Sequence, residues 1–219
     1  MPRFPVSCAG VPADPLRRAA TLWLGGLALG VSGLLAGCDQ TSPGARAPVF
    51  KGIDITGATY GRQFALTDFN GQPRTLADYR GQVVMLYFGF VQCPDVCPTA
   101  LSRAAAVKQQ LGADAAQLQV IFITVDPERD TPELLREYMA AFDPSFMALT
   151  GSPEQIRAAA DEFRVYFKKV PTGSTYTMDH TALSYLFDRE GRLRVALRHE
   201  QTVDDYTADI RQLLAEKPV

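Results

Sequence analysis

Two stretches of the chain are almost unbroken runs of apolar residues, rich in β-branched and aromatic side chains. They extend from Val83 to Phe90 (VVMLYFGF) and from Leu118 to Val125 (LQVIFITV). Runs of this kind are typical of strands buried on both faces, as in a parallel or mixed sheet covered by helices. Before them, Phe64 to Asp68 and Arg74 to Leu76 flank an Asn-Gly pair. Because Asn-Gly supplies the positive φ angles of a tight turn, this segment predicts a β-hairpin.

The rest of the pattern alternates helical and strand segments. Helices are predicted from Thr99 to Leu111, from Thr131 to about Phe142, from Ser152 to about Phe163 and from about Asp204 to Ala215, and strands over Phe146 to Leu149, Thr181 to Phe187 and Leu193 to Leu197. Thr131 supplies an N-cap for the second helix, and Pro132 suits its first position. This order predicts an α/β fold: a thioredoxin-like sandwich with a central mixed β-sheet flanked by helices and an N-terminal β-hairpin extension.

The N-terminal segment has a different pattern, that of an export signal. Arg17 and Arg18 precede an apolar stretch from Ala19 to Leu35, and small residues follow up to Cys38. The Leu-Ala-Gly-Cys that ends this segment resembles the bacterial lipobox, which predicts that Cys38 is lipidated. An uncleaved membrane anchor is the alternative, because the apolar stretch reaches the lower length limit of a spanning helix.

This segment divides the chain into three predicted parts. Residues 1–38 are interpreted as a lipoprotein signal peptide that ends at the lipobox cysteine. Residues 39–50, rich in Thr, Ser, Pro, Gly and Ala, are interpreted as a flexible tether. Residues 51–219 are predicted to form a single domain, which we expect to be lipid-anchored on the periplasmic face of the bacterial inner membrane.

Composition and charge narrow the class of function. Hydrophobic residues make up 47% of the 219 residues and charged residues 21%, which is a globular composition. A formal net charge of −2 argues against a nucleic-acid-binding protein, since such proteins carry a strong basic excess. Of the four cysteines, Cys8 and Cys38 belong to the predicted signal, so Cys93 and Cys97 are the two left in the domain.

Cys93 and Cys97 form a Cys-x₃-Cys motif at a place where chemistry is expected. The motif follows the first buried strand and precedes a helix, and ligands of α/β sheets gather beyond the carboxyl ends of the strands. The partial positive charge of a helix N-terminus stabilises a thiolate there, which suits both redox chemistry and metal binding. The motif is one residue longer than the Cys-x₂-Cys of thioredoxin-type redox sites.

Three interpretations of this cysteine pair are open at this point. An exported domain permits a structural disulfide, although one that closes a five-residue segment constrains the unfolded chain little. Structural zinc would need four ligands, and His180 and His199 lack the short spacing of zinc motifs. Cys93, Cys97 and His180 together suit Cu(I), whereas Cu(II) would need further donors such as water or a carboxylate.

Three motifs in a fixed order give the chain a family resemblance. The motifs are Cys93-Pro94-Asp95-Val96-Cys97-Pro98, then Val125-Asp126-Pro127-Glu128-Arg129-Asp130-Thr131-Pro132-Glu133, then Asp179-His180 before a strand. With them, the chain resembles the Sco/SenC family over about Phe50 to Ala215. The resemblance implies a thioredoxin fold, copper bound by the two cysteines and the histidine, and delivery of copper to the dinuclear Cu-A centre of cytochrome c oxidase. Two aspartates are candidates for supporting roles, Asp95 as a further donor to Cu(II) and Asp126 as a group that orients the loop or a ligand. Asp126 suits a turn or an N-cap equally well.

Three functions are considered, and a metallochaperone ranks first. It would bind Cu(I), Cu(II) or both, depend on a periplasmic thiol reductant or another copper chaperone, and pass the metal to the Cu-A subunit of cytochrome c oxidase. The alternative is a thiol–disulfide oxidoreductase, in which Cys93 and Cys97 are a redox pair that reduces the cysteines of that subunit or of another periplasmic protein. A peroxiredoxin-like enzyme ranks last, because Thr99 and Arg103 match its requirements only loosely. We expect a monomer that binds the membrane through its lipid and binds no nucleic acid.

Overall fold

The computed structural model describes residues 49–216, in which the two apolar runs form adjacent central strands. The strands are β1 (Ile53–Asp54), β2 (Ala65–Asp68), β3 (Pro73–Thr75), β4 (Val83–Gly89), β5 (Leu118–Thr124), β6 (Met147–Thr150), β7 (Phe167–Thr172), β8 (Thr175–His180), β9 (Leu183–Phe187) and β10 (Leu193–Arg198), and the helices are α1 (Val96–Leu111), α2 (Pro132–Ala140), α3 (Pro153–Glu162) and α4 (Val203–Ala215). The predicted signal peptide with Cys38, and residues 39–48 of the predicted tether, lie outside the described residues.

Eight strands form one mixed sheet in the order β1-β10-β9-β4-β5-β6-β2-β3. β4 pairs in parallel with β5 over its whole length, β5 pairs in parallel with β6, and β4 pairs with β9 in the antiparallel direction. Every residue of β4 is buried, as is every residue of β5 except the half-buried Gln119. Burial of this kind requires cover on both faces of the sheet. The predicted α/β fold, a thioredoxin-like sandwich with a central mixed sheet, is confirmed.

Local sequence signals place the other elements near their predicted positions. The Asn-Gly turn joins β2 to β3, with Gly71 at a φ of +78°, and β2 attaches this hairpin to the sheet by pairing with β6. Thr131 caps α2, since its side chain accepts a hydrogen bond from the backbone N–H of Leu134. Ser152 caps α3 in the same way, through the backbone N–H of Gln155. The predicted N-cap residues therefore determine where both helices begin.

One segment differs from the prediction, and it carries a candidate ligand. Residues 171–179, for which no helix or strand is predicted, belong to the hairpin of β7 and β8, and these two strands form a sheet separate from the main one. His180 is the last residue of β8, and the next strand, β9, begins at Leu183 rather than at Thr181. The prediction was wrong because β7 is exposed along nearly its whole length. Such a strand lacks the alternation of apolar and polar residues that marks a half-buried strand.

Helix α1 also begins earlier than expected, at Val96 instead of Thr99. Pro98 obscured this start, yet proline is tolerated in the first turn of a helix because its missing N–H has no partner there. The consequence for the site is direct. Cys97 lies within the first turn of α1, whereas Cys93 lies in the turn between β4 and the helix.

The sheet brings two loops to one edge. β4 and β5 are parallel neighbours, so the cysteine loop that follows β4 and the loop of residues 125–131 that follows β5 begin side by side. A hydrogen bond from the backbone N–H of Val125 to the carbonyl of Gly89 (2.8 Å) joins the two starting points. No helix in the described part of the chain has the length and apolarity that crossing a membrane requires.

We expect Gly89→Ala to destabilise the protein. A Cβ atom at position 89 would lie 2.7 Å from the Phe122 ring and 2.8 Å from Cys97 Sγ, both in the buried core. Overpacking of this kind costs about 1–3 kcal/mol of the free energy of unfolding, which urea denaturation of the reduced, metal-free protein measures. Gly151→Ala is the control, because the atom nearest to its new Cβ, at 2.9 Å, is the exposed Gln155 Oε1, which can move away at the cost of its hydrogen bond from the Ser152 N–H. Equal losses in the two variants would contradict the prediction.

Candidate metal centre

The structure brings together the three residues proposed as ligands. Cys93 Sγ, Cys97 Sγ and a ring nitrogen of His180 all lie within 4.8 Å of one another, although His180 is 83 positions from Cys97. The Cys97 sulfur lies 3.5 Å from Nε2 of His180. Both cysteines are free thiols in this structure. Two sulfurs and one imidazole at this separation are a donor set that a single soft metal ion can bridge.

The two cysteines differ in how they are held. Cys93 lies in the turn after β4, where its backbone N–H donates to the carbonyl of Phe90 (3.2 Å), and its sulfur accepts a hydrogen bond from the backbone N–H of Cys97 (3.4 Å). Cys97, in the first turn of α1, is completely buried, whereas Cys93 remains 8% exposed. An incoming ion or thiol therefore meets Cys93 before Cys97.

His180 is oriented by its own backbone neighbour and by two rings. Its Nδ1 lies 3.1 Å from the carbonyl oxygen of Thr181. A carbonyl can only accept, so this hydrogen bond places the proton on Nδ1 and leaves the lone pair on Nε2, the nitrogen beside Cys97. The rings of Tyr87 and Phe90 contact the imidazole edge to face, at centroid distances of 6.1 and 5.8 Å. The imidazole is thus presented in the tautomer that binds a metal through Nε2.

The two thiols share one proton between them. A hydrogen bond from the Cys97 thiol lowers the pKa of Cys93 well below that of an ordinary thiol, with further help from backbone N–H groups, against the opposing effect of burial. The same hydrogen bond, together with burial, raises the pKa of Cys97 far above its ordinary value. The resting pair is therefore a Cys93 thiolate beside a Cys97 thiol, and a bound metal would take the place of the shared proton.

The other predicted site residues lie around this group but outside it. Asp95 is the exposed N-cap residue of α1, and its carboxylate makes no capping hydrogen bond. Asp126 is buried, and its two oxygens accept hydrogen bonds from Arg129 and Tyr176 rather than from a cysteine or His180. The groups considered for peroxide chemistry are engaged elsewhere. Thr99 donates to the carbonyl of Asp95, and the Arg103 guanidinium lies over the ring of Tyr206.

Sequence reasoning missed four residues that shape the site. Tyr87 and Phe90 belong to a predicted buried strand, and side chains near the end of such a strand also face the site that lies beyond it. Arg129 belongs to the second motif but receives no role of its own there, although the density of charge in Asp-Pro-Glu-Arg-Asp is a signal of one. Tyr176 gives no signal, because no strand is predicted over its segment.

Comparisons with known proteins point in the same direction. A family model described as SCO1/SenC matches residues 54–215. A SCO2-like protein of Rickettsia prowazekii is 40% identical over 135 residues, which cover 60% of this chain and 66% of that protein. The mitochondrial SCO2 homologue of Mus musculus is 38% identical over 156 residues, which cover 69% of this chain and 61% of that protein. The chain thus spans about two thirds or less of the length of these curated relatives.

Solved structures agree with the sequence relatives. The structure of Bradyrhizobium japonicum ScoI with copper bound is 43% identical, with a TM-score of 0.65, and the match covers 71% of this chain and 99% of that one. Yeast Sco1 with copper bound is 34% identical, with a TM-score of 0.67 and coverage of 74% and 92%. The similarity extends over nearly the whole of both solved chains.

Alkylation of the reduced, metal-free protein should modify Cys93 and spare Cys97. Because the hydrogen bond with Cys97 lowers the pKa of Cys93 well below that of an ordinary thiol, its thiolate dominates at neutral pH, and the rate should change little between about pH 8 and about pH 7. An ordinary thiol, with a pKa of about 8.5, would lose about tenfold in rate per pH unit below that value. Iodoacetamide treatment followed by peptide mass spectrometry measures both rate and position.

Cys93→Ser is the control for this experiment. It leaves Cys97 as the only thiol of the described residues, and burial of that sulfur should prevent its modification in the folded protein. A Cys93 rate that already falls tenfold between about pH 8 and about pH 7 would contradict the lowered pKa.

Proposed function

The chain belongs to the SCO1/SenC family, and from that premise we propose that it binds copper through Cys93, Cys97 and His180 and delivers the metal to the Cu-A centre of cytochrome c oxidase during assembly. Two relatives, from Bradyrhizobium japonicum and yeast, have been solved with copper bound. BsSco, 24% identical, is described as a member of the Sco family of cytochrome c oxidase assembly proteins. These descriptions support the proposal for a chain of the same family.

The observation that carries the proposal is the donor set itself. Two sulfurs and an imidazole nitrogen lie within 4.8 Å of one another, and the pKa of one of the two thiols, Cys93, is lowered by its hydrogen bond with the other. Thiolates select Cu(I), while imidazole suits both copper oxidation states. Binding would release the proton that the two thiols share, so the affinity for copper should fall at low pH.

The unequal burial of the ligands suits a cargo that must leave again. Cys97 is completely buried, whereas Cys93 and the half-buried His180 lie nearer to solvent. An acceptor protein would approach from that side, and its own ligands would replace His180 and Cys93 before Cys97. Stepwise exchange of this kind never leaves the ion without ligands.

A second candidate function, thiol–disulfide exchange, is favoured by the unequal pKa values of the two thiols. The Cys93 thiolate would attack a partner disulfide, forming a mixed disulfide and releasing one partner thiolate. Cys97 would then attack Cys93 Sγ, closing a Cys93–Cys97 disulfide and releasing the second partner thiol, so that the partner gains two electrons. A disulfide and bound copper exclude each other, because both use the same sulfurs.

The location and partners proposed for the protein rest on its sequence. We propose that residues 1–38 are a lipoprotein signal, that Cys38 is lipidated, and that residues 51–219 face the periplasm from the inner membrane. A Bacillus anthracis protein, 23% identical, is described as a SCO1/SenC family lipoprotein. The proposed partners are the Cu-A subunit, which would receive copper, and a thiol reductant or copper chaperone, which would prepare or load the site. We propose that the chain acts as a monomer.

Anaerobic copper titration of the reduced full-length chain should give one copper per chain. Cys93→Ser, Cys97→Ser and His180→Ala should each lower the affinity by more than the roughly 10–100-fold that outer residues of metal sites contribute. Absorption and EPR of the Cu(II) form, with competition by a Cu(I) chelator, provide the readouts. His199→Ala is the matched control, because it removes the other histidine of the chain. If His180→Ala bound Cu(I) and Cu(II) as tightly as the wild type, the three-ligand proposal would fail.

His180→Ala should also separate the two candidate functions. Disulfide exchange needs only the cysteines, so this variant should still reduce a disulfide in a peptide that carries the two Cu-A cysteines. Copper transfer to the same reduced peptide should be lost, as mass spectrometry of the copper-loaded peptide would record. Equal loss of both activities would contradict the division of labour between the histidine and the thiols.

A further inference from the structure

We propose that Arg129 is the positioning residue of the copper site, because its side chain ties the hairpin that carries His180 to the loop that carries Cys93. The proposal rests on the proposed function, since it assigns Arg129 a role in holding and releasing copper. We call Arg129 and its contacts with Asp126, Gln92 and Tyr176 the arginine bridge.

The arginine bridge reaches both halves of the ligand set. Nη1 of Arg129 donates to the main-chain carbonyl of Tyr176 (2.8 Å), which lies on β8 four residues before His180, and to Oε1 of Gln92 (3.1 Å), which directly precedes Cys93. The guanidinium also lies over the Tyr176 ring, 3.7 Å from its centroid. One side chain therefore contacts the residue that precedes Cys93 and a residue of the strand that ends in His180, although these two segments come from distant parts of the chain.

Asp126 holds Arg129 and Tyr176 in place. Its carboxylate is 1% exposed and accepts hydrogen bonds from Nε of Arg129 and from the hydroxyl of Tyr176 (2.9 Å). Its backbone N–H donates to the hydroxyl of Thr124, the last residue of β5 (2.9 Å). Charge-assisted hydrogen bonds with this little solvent access are stronger than surface ion pairs. The bridge is thereby fixed to the central sheet.

The hairpin depends on such contacts because the main sheet does not hold it. β7 and β8 pair only with each other among the described strands, and an isolated two-stranded hairpin is marginally stable. Besides the bridge, Met178 of β8 is buried in the core, and Arg157 stacks on Phe167 at 3.6 Å. Loss of the arginine bridge would leave the contacts of His180 itself, with Phe90 and Cys97, as the link between this end of β8 and the cysteine loop.

Arg129→Lys tests whether the bridge acts through the geometry of the guanidinium or only through its positive charge. A lysine keeps the positive charge beside Asp126, but it has no planar fork with which to contact Gln92 and Tyr176 together. If Arg129 acts by geometry, Arg129→Lys should therefore behave like Arg129→Ala in its copper properties. Tyr176→Phe, which keeps the ring and loses the hydrogen bond to Asp126, should have a smaller effect.

Arg136 provides a matched control within the same chain. Its guanidinium also donates to a main-chain carbonyl, that of Phe69 (2.6 Å), and to a side-chain amide oxygen, that of Asn70 (3.3 Å), and it lies 5.4 Å from the centroid of the Phe69 ring. These contacts join α2 to the β2–β3 turn and involve no neighbour of a copper ligand. Arg136→Lys and Arg136→Ala thus remove a similar set of contacts at a different place, apart from the ion pair that Arg129 forms with Asp126.

The experiment compares these variants in the full-length chain by three measurements. Release of Cu(I) to a chelator should be about tenfold or more faster in Arg129→Lys and Arg129→Ala, and the Cu(II) EPR and absorption spectra should shift. Amide hydrogen exchange of the metal-free protein should accelerate in residues 167–180 of the Arg129 variants. The Arg136 variants should change none of these, even where they lower the melting temperature as much.

Each outcome decides something different. A wild-type release rate and spectrum in Arg129→Lys would overturn the positioning role, as would effects of equal size in the Arg136 variants. Unchanged exchange of the hairpin amides would overturn the bridge itself, and this measurement needs no copper. A wild-type chain that bound no copper would instead overturn the proposed function and, with it, the role of the bridge in copper release.

Discussion

The parallel pairing of β4 with β5 is the constraint on which the rest of the site depends. Both strands are buried on both faces, so a slip in their register would exchange the side chains of the two faces and disrupt the packing on each. Gly89 therefore stays opposite Thr124, and the two following loops start side by side. The absence of a side chain at Gly89 lets Cys97 pack directly against the strand, since a Cβ there would lie 2.8 Å from the Cys97 sulfur. The packing of the core thus determines the position of the fully buried Cys97 sulfur.

The proposed ligands come from two elements that are attached to the main sheet in different ways. The cysteines lie at the junction of β4 and α1, within the main core, whereas His180 comes from a hairpin that pairs with no strand of the main sheet. Local stability follows buried contacts, so the hairpin should open at a lower free energy than the cysteine turn. For the proposed copper cargo, this difference would keep the two sulfurs in place while the imidazole of His180 moves away. Exchange of ligands with an acceptor requires such a movement.

The sequence predicted the parts of this arrangement that depend on local or periodic signals. Buried strands, helix caps and the Asn-Gly turn follow from short-range chemistry, and the cysteine motif at a strand end follows from the topology. The β7–β8 hairpin was missed because its exposed strand has no alternation, and the start of α1 because of Pro98. Arg129 and Tyr176 meet across 47 positions, and nothing in either segment alone indicates that contact. Long-range polar contacts are fixed by the assembled fold, so they escape single-sequence reasoning.

The turn from Asp126 to Asp130 explains why so many charges lie together after β5. Its backbone folds tightly, with the N–H groups of Arg129 and Asp130 both donating to the carbonyl of Asp126 (3.2 and 3.0 Å). Side chains from one short turn therefore point to different neighbours. Asp126 and Arg129 bind the hairpin, while Asp130 accepts hydrogen bonds from the hydroxyl of Thr124 (2.6 Å) and from the N–H of Val91 at the start of the cysteine loop (3.1 Å). Burial raises the pKa of Asp130 to about 6, so placing this carboxylate inside the protein costs stability. The two hydrogen bonds of Asp130 explain why the carboxylate lies there, because they join the two loops that position the proposed copper ligands.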